Sequence, residues 1–141
     1  MSDARLRTAV EADDFAALGE LLAEDVVLRS PVAFKPYQGR PIVAAILREV
    51  GRVFTDFRYV RKLEDSDGHR GALLFETSVD GTGLNGIDLI RTNDAGLISE
   101  FTVMVRPLSA ATALAAVMGA QFSQIQAAAI AGLHSTTRAR E

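Results

Sequence analysis

The chain contains no cysteine, which excludes disulfides, thiol nucleophiles and zinc–thiolate centres while leaving the compartment open. It also lacks an excess of basic charge: the formal net charge is −3, which argues against broad electrostatic binding to nucleic acid or an anionic membrane. No run reads as the roughly 20 apolar residues of a membrane span. The opening MSDARLRTAVEADD has no apolar signal-peptide core. The expectation is a cytoplasmic protein with no nucleic-acid partner and no membrane partner. His69 and His134 stand far apart with no carboxylate cluster to complete a metal site, so no metal and no cofactor is expected. A G-x-S-x-G serine-hydrolase elbow is missing. Gly81-Thr-Gly83-Leu-Asn-Gly86 matches G-x-G-x-x-G, but a strand pattern follows it where a dinucleotide site needs a helix, so it reads as a hairpin turn.

What remains is a soluble globular composition, 48% hydrophobic and 23% charged over 141 residues, which suits one domain with a core of its own. Its organisation reads α-α-β-α-β-β-β-β-α. Ser2 or Asp3 can cap a first helix carrying Leu6, Ala9 and Val10 on one face. Asp13 and Asp14 break it and can cap a second, with Phe15, Leu18, Leu21 and Leu22 at helical spacing. Val26 to Ser30 is a short strand ended by Pro31, and Pro31 to Gly39 reads as a loop. Pro41 suits the first turn of a third helix, whose buried stripe is Ile42, Ile46, Val50 and Val53. From Phe57 the period becomes two: strands at Phe57–Leu63, Ala72–Val79, Leu84–Thr92 and Leu97–Arg106 are separated by turns at Asp65–Gly68, Asp80–Gly83 and Asn93–Gly96.

The tail carries no formally charged residue from Pro107 to Thr137. Leu114, Met118, Phe122 and Ile125 give it helical spacing, and Gly119 is expected to bend or divide it. A helix without a charged face needs cover. Burial against the sheet or in a dimer contact is the plain reading, and a lid over an apolar pocket the sharper one.

Asp88 is the residue that calls for a chemical reason. It lies between Ile87 and Leu89-Ile90 in an otherwise apolar strand, and a buried carboxylate is costly unless neutral or paired. Three placements are open: a pocket acid that meets ligand, a structural acid paired with an arginine or a backbone amide, or an acid on the outer face.

The segment Ile87-Asp-Leu-Ile-Arg91 with Asn93-Asp-Ala-Gly-Leu-Ile98 resembles the strand–turn–strand of ketosteroid isomerases. Asp14-Phe15, Ala23-Glu-Asp-Val26, Ser30-Pro31 and Gly39-Arg40 are similar to motifs of the wider nuclear transport factor two-like superfamily, which includes SnoaL-like cyclases and limonene epoxide hydrolases. The resemblance covers about Arg5 to Arg106. It implies an α+β fold, a cone-shaped curved mixed or antiparallel sheet packed on N-terminal helices, with a C-terminal helix. The cone domain would span residues 1–108 and the helical extension 109–141. It also implies that Asp88 is the neutral acid of an oxyanion hole. The rest of the isomerase set does not carry over: Ser30 occupies the general-base position and Leu6 about that of the oxyanion tyrosine. The epoxide hydrolase Asp–Arg–Asp set is likewise absent, with Gly86 in the arginine position.

Strand parity then predicts a lining. If Asp88 faces inward, so do Leu84, Gly86 and Ile90, with Leu73, Phe75 and Thr77 on one neighbour and Phe101, Val103 and Val105 on the other. Ser30, and Tyr37 from the proline loop, complete the predicted ligand contacts, although Tyr37 reads first as a plain loop aromatic packed on the rim. Leu74, Leu89 and Met104 would face outward, where a homodimer is expected. Arg58, Arg61 and Lys62 read as a solvated strand face, and His69 and His134 as surface histidines. An apolar wall with one acid suits a small apolar molecule anchored at Asp88. The alternatives are a SnoaL-like isomerase, cyclase or dehydratase using Asp88 as acid or base, and a non-enzymatic dimerisation or protein-interaction module.

Overall fold

The computed structural model describes residues 2–140, with side chains described over 4–131; His134 lies outside the described side chains. Helices α1 (Ser2–Glu11) and α2 (Phe15–Glu20) come first. Asp14 caps α2, its carboxylate accepting from the Ala17 N–H at 3.1 Å. The helix stops sooner than the apolar spacing predicts. The Leu21 N–H closes on the Leu18 carbonyl, and the Leu21 carbonyl accepts from the Ile98 N–H at 2.8 Å. That bond opens a parallel ladder, so β1 spans Leu22–Arg29 rather than Val26–Ser30. Long-range pairing outweighs local helical periodicity here.

The proline loop contains a two-residue strand, β2 (Tyr37–Gln38), paired with Val27 and Leu28. Gly39, at φ +103°, makes the turn into α3 (Arg40–Val53), with Pro41 in its first turn as expected. The Arg40 guanidinium donates twice to the Leu22 carbonyl, at 3.0 and 2.8 Å, and so ties the start of α3 to β1.

The meander follows: β3 (Phe54–Glu64), β4 (Arg70–Val79), β5 (Thr82–Thr92) and β6 (Ile98–Arg106). Among the described residues these strands form one six-stranded sheet in the order β2-β1-β6-β5-β4-β3, with β1 parallel to β6 and the other neighbours antiparallel. The α+β architecture of a mixed sheet with N-terminal helices and a C-terminal helix is therefore as the sequence implies. Register joins Leu73 to Asp88 and Asp88 to Val103, and joins Phe75 to Gly86 and Gly86 to Val105. These side chains share one face. Leu74, Ile87 and Met104 share the other.

Helix α4 (Leu108–Arg140) runs through Gly119 without division. That glycine is exposed and no atom lies within 4 Å of where a Cβ would stand, so nothing there forces a break. Ala110, Leu114, Met118 and Ile125 form its buried stripe. Phe122, expected on that stripe, is exposed. At about 100° per residue it stands about 40° round the helix from Met118 and about 60° from Ile125, at the edge of the stripe rather than on it. The expectation that no segment has the make-up of a membrane span also needs correction. Leu108–Ala131, at mean hydropathy 1.3, is long and apolar enough to cross a membrane by length and composition. Its alanines supply no bulky apolar run, but no charge lowers the average.

Candidate ligand cavity

The sheet curves around a cavity of about 270 Å³, closed on the far side by α3 and α4. Ile46, Leu47 and Val50 of α3 and Leu114 and Met118 of α4 form one wall. An aromatic cluster forms another: the Phe57 ring packs edge-on to Tyr59 at 4.9 Å and stacks on Phe75 at 5.0 Å, with Phe54 beside both phenylalanines. Both walls are mostly apolar.

Two glycines shape this wall. A Cβ at Gly86 would run into the Met104 carbonyl oxygen and stand 2.8 Å from the Phe75 ring. Gly86 therefore lets the ring lie flat against β5, and an arginine in its place, as in an epoxide hydrolase, has no room. A Cβ at Gly51 would collide with the Phe15 ring, which rests on α3 at the cavity edge.

Asp88 is buried, at 6% exposure, and lines the cavity. Among the described residues its partner is neither an arginine nor a backbone amide. The Tyr59 hydroxyl donates to Oδ2 at 3.0 Å, reaching across β4 from β3. Burial pushes the Asp88 carboxyl up to about 7, and the Tyr59 hydrogen bond opposes that rise in part. Burial, reinforced by the charge of Asp88, drives the Tyr59 phenol far above its ordinary range. Tyr59 therefore stays a donor, while Asp88 is divided between acid and carboxylate near neutral pH. The acid can donate to a ligand oxygen, and the carboxylate can accept a proton.

Sequence reasoning passed over Tyr59. One signal for it was present: Phe57 and Tyr59 alternate with exposed Arg58 and Val60, and a buried tyrosine needs a partner for its hydroxyl. The residues named from sequence divide into two groups. Asp88, Phe75, Phe101, Val103 and Ser30 line the cavity. Leu73, Leu84 and Ile90 point the same way but are buried in the core, and Thr77 gives its hydroxyl to the Thr55 carbonyl at 2.8 Å. Val105 and Tyr37 pack at the edge of the core and do not reach the cavity. The space occupies only part of the cone, and side chains two residues along a strand are already some 7 Å away.

Ser30 and Leu6 both face the cavity, at the positions where the isomerase resemblance would put a base and a tyrosine. The Ser30 hydroxyl accepts from the Val32 N–H at 3.1 Å. Outside the cavity, Arg58 is ion-paired with Glu76 across β3 and β4, and His69 is exposed in its turn. Among the described residues no group of histidines, cysteines and carboxylates could hold a metal ion.

The family model described as SnoaL-like domain matches residues 4–101. Among solved structures, the chain is 42% identical to a steroid delta-isomerase from Pseudomonas aeruginosa, with a TM-score of 0.84 over 90% of this chain and 93% of that one. It is 37% identical, with a TM-score of 0.81 and the same coverages, to an uncharacterized bacterial protein with a cystatin-like fold from Silicibacter pomeroyi DSS-3. A Mycobacterium tuberculosis protein solved in complex with estradiol-17beta-hemisuccinate shares the fold at 20% identity, with a TM-score of 0.62 over 77% of this chain and 93% of that one. A search of curated proteins gave no match.

Proposed function

The chain belongs to the SnoaL-like domain family, and from that premise we propose that its cone binds a small, mostly apolar molecule through one oxygen held at Asp88 and Tyr59. The observation that carries this reading is the Asp88–Tyr59 pair, a buried polar contact set among the mostly apolar walls of the cavity. The likeness to a steroid delta-isomerase supports a fused-ring ketone or alcohol as the ligand class. Native mass spectrometry of the purified protein, followed by titration with fluorescent ring compounds, tests it. Asp88→Asn and Tyr59→Phe should weaken binding of oxygenated compounds and leave the parent hydrocarbons unaffected. Equal losses for both sets would remove the anchor.

A catalytic reading is favoured by a specific observation: a carboxyl brought to about 7 is matched to proton transfer at neutral pH. In this reading Asp88 takes a proton from, or gives one to, an already activated substrate in an isomerisation, dehydration or ring closure. Ser30 cannot serve as the base, because a serine hydroxyl does not abstract a carbon-bound proton unaided. A β,γ-unsaturated ketosteroid should therefore be isomerised poorly by the native chain. Ser30→Asp should raise the rate, and robust turnover by the native chain would show that another group supplies the base.

We also propose a homodimer through the outer sheet face. Val60, Leu89 and Met104 are exposed there, beside half-buried Leu74 and Ile87.

A further inference from the structure

The chain is only 6% aromatic, with seven phenylalanines, two tyrosines and no tryptophan. Six of these nine, Phe15, Phe54, Phe57, Tyr59, Phe75 and Phe101, line the cavity. The filled part of the core is aliphatic instead: Leu22, Leu73, Val79 and Ile98 are fully buried, and none of them lines the cavity. Burial alone would spread large rings through the core; here they gather around open space. Phe15, Phe54 and Phe57 line it and are only half-buried, so part of each ring has no side chain over it.

The rings are also ordered. Phe54 and Phe57 lie within 12° of parallel at 5.9 Å, and Phe57 and Phe75 within 28° at 5.0 Å. Tyr59 stands edge-on to Phe57 at 4.9 Å, with its hydroxyl on Asp88 at 3.0 Å. The polar contact thus adjoins the phenylalanine wall, and a ligand whose oxygen reaches Asp88 has its first ring beside that wall. The volume sets the ligand's size. A cavity of about 150 Å³ holds one benzene, so about 270 Å³ leaves room for two fused rings and not for four.

We infer that the cavity takes a flat body of two fused aromatic rings, laid against Phe57 and Phe75, in preference to saturated rings. This inference rests on the proposal that the cavity binds a small apolar molecule through an oxygen at Asp88, and it names the class of that molecule. Aromatic rings gain from offset-stacked or edge-on contact beyond the area they bury. Saturated rings gain from area alone.

The test uses the full chain and two matched probes, naphthylethanol and decahydronaphthylethanol, which carry the same hydroxyl on the same two-ring skeleton. The saturated probe is bulkier and more apolar, so area alone favours it. Titration calorimetry should nevertheless show the naphthyl probe bound at least about fivefold tighter. Phe57→Leu keeps an apolar side chain at this half-buried position and should lower that ratio at least about twofold. On the native chain, NOEs should join the naphthyl protons to the Phe57 and Phe75 rings. A saturated four-ring alcohol should bind no tighter than the naphthyl probe, because its far rings lie outside the cavity. Equal binding of the two matched probes, or tighter binding of the saturated one, would overturn the inference and leave the cavity reading standing. So would NOEs confined to Leu114 and Met118, a ratio unchanged in Phe57→Leu, or tighter binding of the four-ring alcohol. Failure of both matched probes to bind would overturn the cavity reading, and this inference with it.

Discussion

The two faces of β5 each depart from the usual order of a sheet, at different positions. Its inner face carries a carboxyl, Asp88, shut away from water. Its outer face carries Ile87 and Leu89, beside Leu74 of β4 and Met104 of β6, with Leu89 and Met104 exposed. A sheet that served only to hold a core would put the acid outside and the aliphatic chains inside. The difference teaches that the inner face holds one polar group at the expense of stability, while the outer face leaves apolar side chains in water.

The stability cost on the inner face gives the largest expected effect. Asp88 titrates near 7 when folded, against an ordinary value of 3.8. Below about pH 4 the carboxyl is protonated in both states and imposes no penalty. As pH rises through the window from about 4 to about 7, the unfolded chain releases this proton and the folded one holds it, so the stability of the native state falls. The shift corresponds to a loss of roughly 4 kcal/mol by pH 8. Asp88→Asn should abolish that slope, and should be the more stable protein at pH 8 although it matches or trails the native chain at pH 4. Urea titrations across pH check this. A native profile as flat as that of Asp88→Asn would mean that the carboxyl is hydrated or paired and that the two faces differ less than the structure indicates.

The contrast between the faces was legible from sequence; the shape of the space between sheet and helices was not. Alternation alone put Leu73, Phe75, Leu84, Asp88 and Phe101 on one face, because strand periodicity is a local property. Which of them meet open space depends on how α3 and α4 dock, and that is set by long-range packing. Leu73 and Leu84 were filled in, while Phe75 and Phe101 were left at the cavity wall. Tyr59 was obscured for a related reason. The ladder between β3 and β4 shifts register between Thr55 and Arg58 and again between Tyr59 and Arg61, so counting by twos along β3 cannot carry the face from one end to the other. The early start of β1 at Leu22 and the unbroken α4 at Gly119 were hidden in the same way, one by a parallel pairing 76 residues along the chain at Ile98 and the other by an absence of anything to pack against.

A smaller effect is expected where the two faces meet. Gly86→Ala should destabilise the protein by about 1–3 kcal/mol, because the new methyl group must displace either the Phe75 ring or the Met104 carbonyl. The ring forms part of the cavity wall, so the same variant should bind ring compounds less tightly. Thermal unfolding and probe titration give the two numbers. A neutral substitution would show that β5 and β6 can part without cost.

Next comes Tyr59→Phe. Its hydroxyl lowers the Asp88 carboxyl against the effect of burial, so its removal should move that titration above 7, visible by NMR. At low pH, where Asp88 is neutral, the lost hydrogen bond should cost about 1 kcal/mol. The loss should grow above neutral pH, where a buried carboxylate is left with no donor. A titration that stays in place would mean that Tyr59 touches Asp88 without governing it.

The smallest effect on the folded chain is expected on the outer face. Met104 is 54% exposed in the single chain, so Met104→Glu should change the stability of the monomer by no more than about 0.5 kcal/mol. Its effect on association should be far larger if this face joins two copies. Burying the new carboxylate in a packed interface would cost several kcal/mol, offset only in part by Arg61 and Arg106, which line the same outer groove as Met104. Sedimentation at micromolar concentration should then show a dimer for the native chain and a monomer for the variant, each with ligand affinity intact, because the cavity opens on the opposite side of the sheet. A native chain that sediments as a monomer would leave the outer face as exposed apolar surface without a partner. Coupled loss of dimer and ligand binding would show that the two faces act on each other through the sheet, contrary to the division of labour that β5 displays.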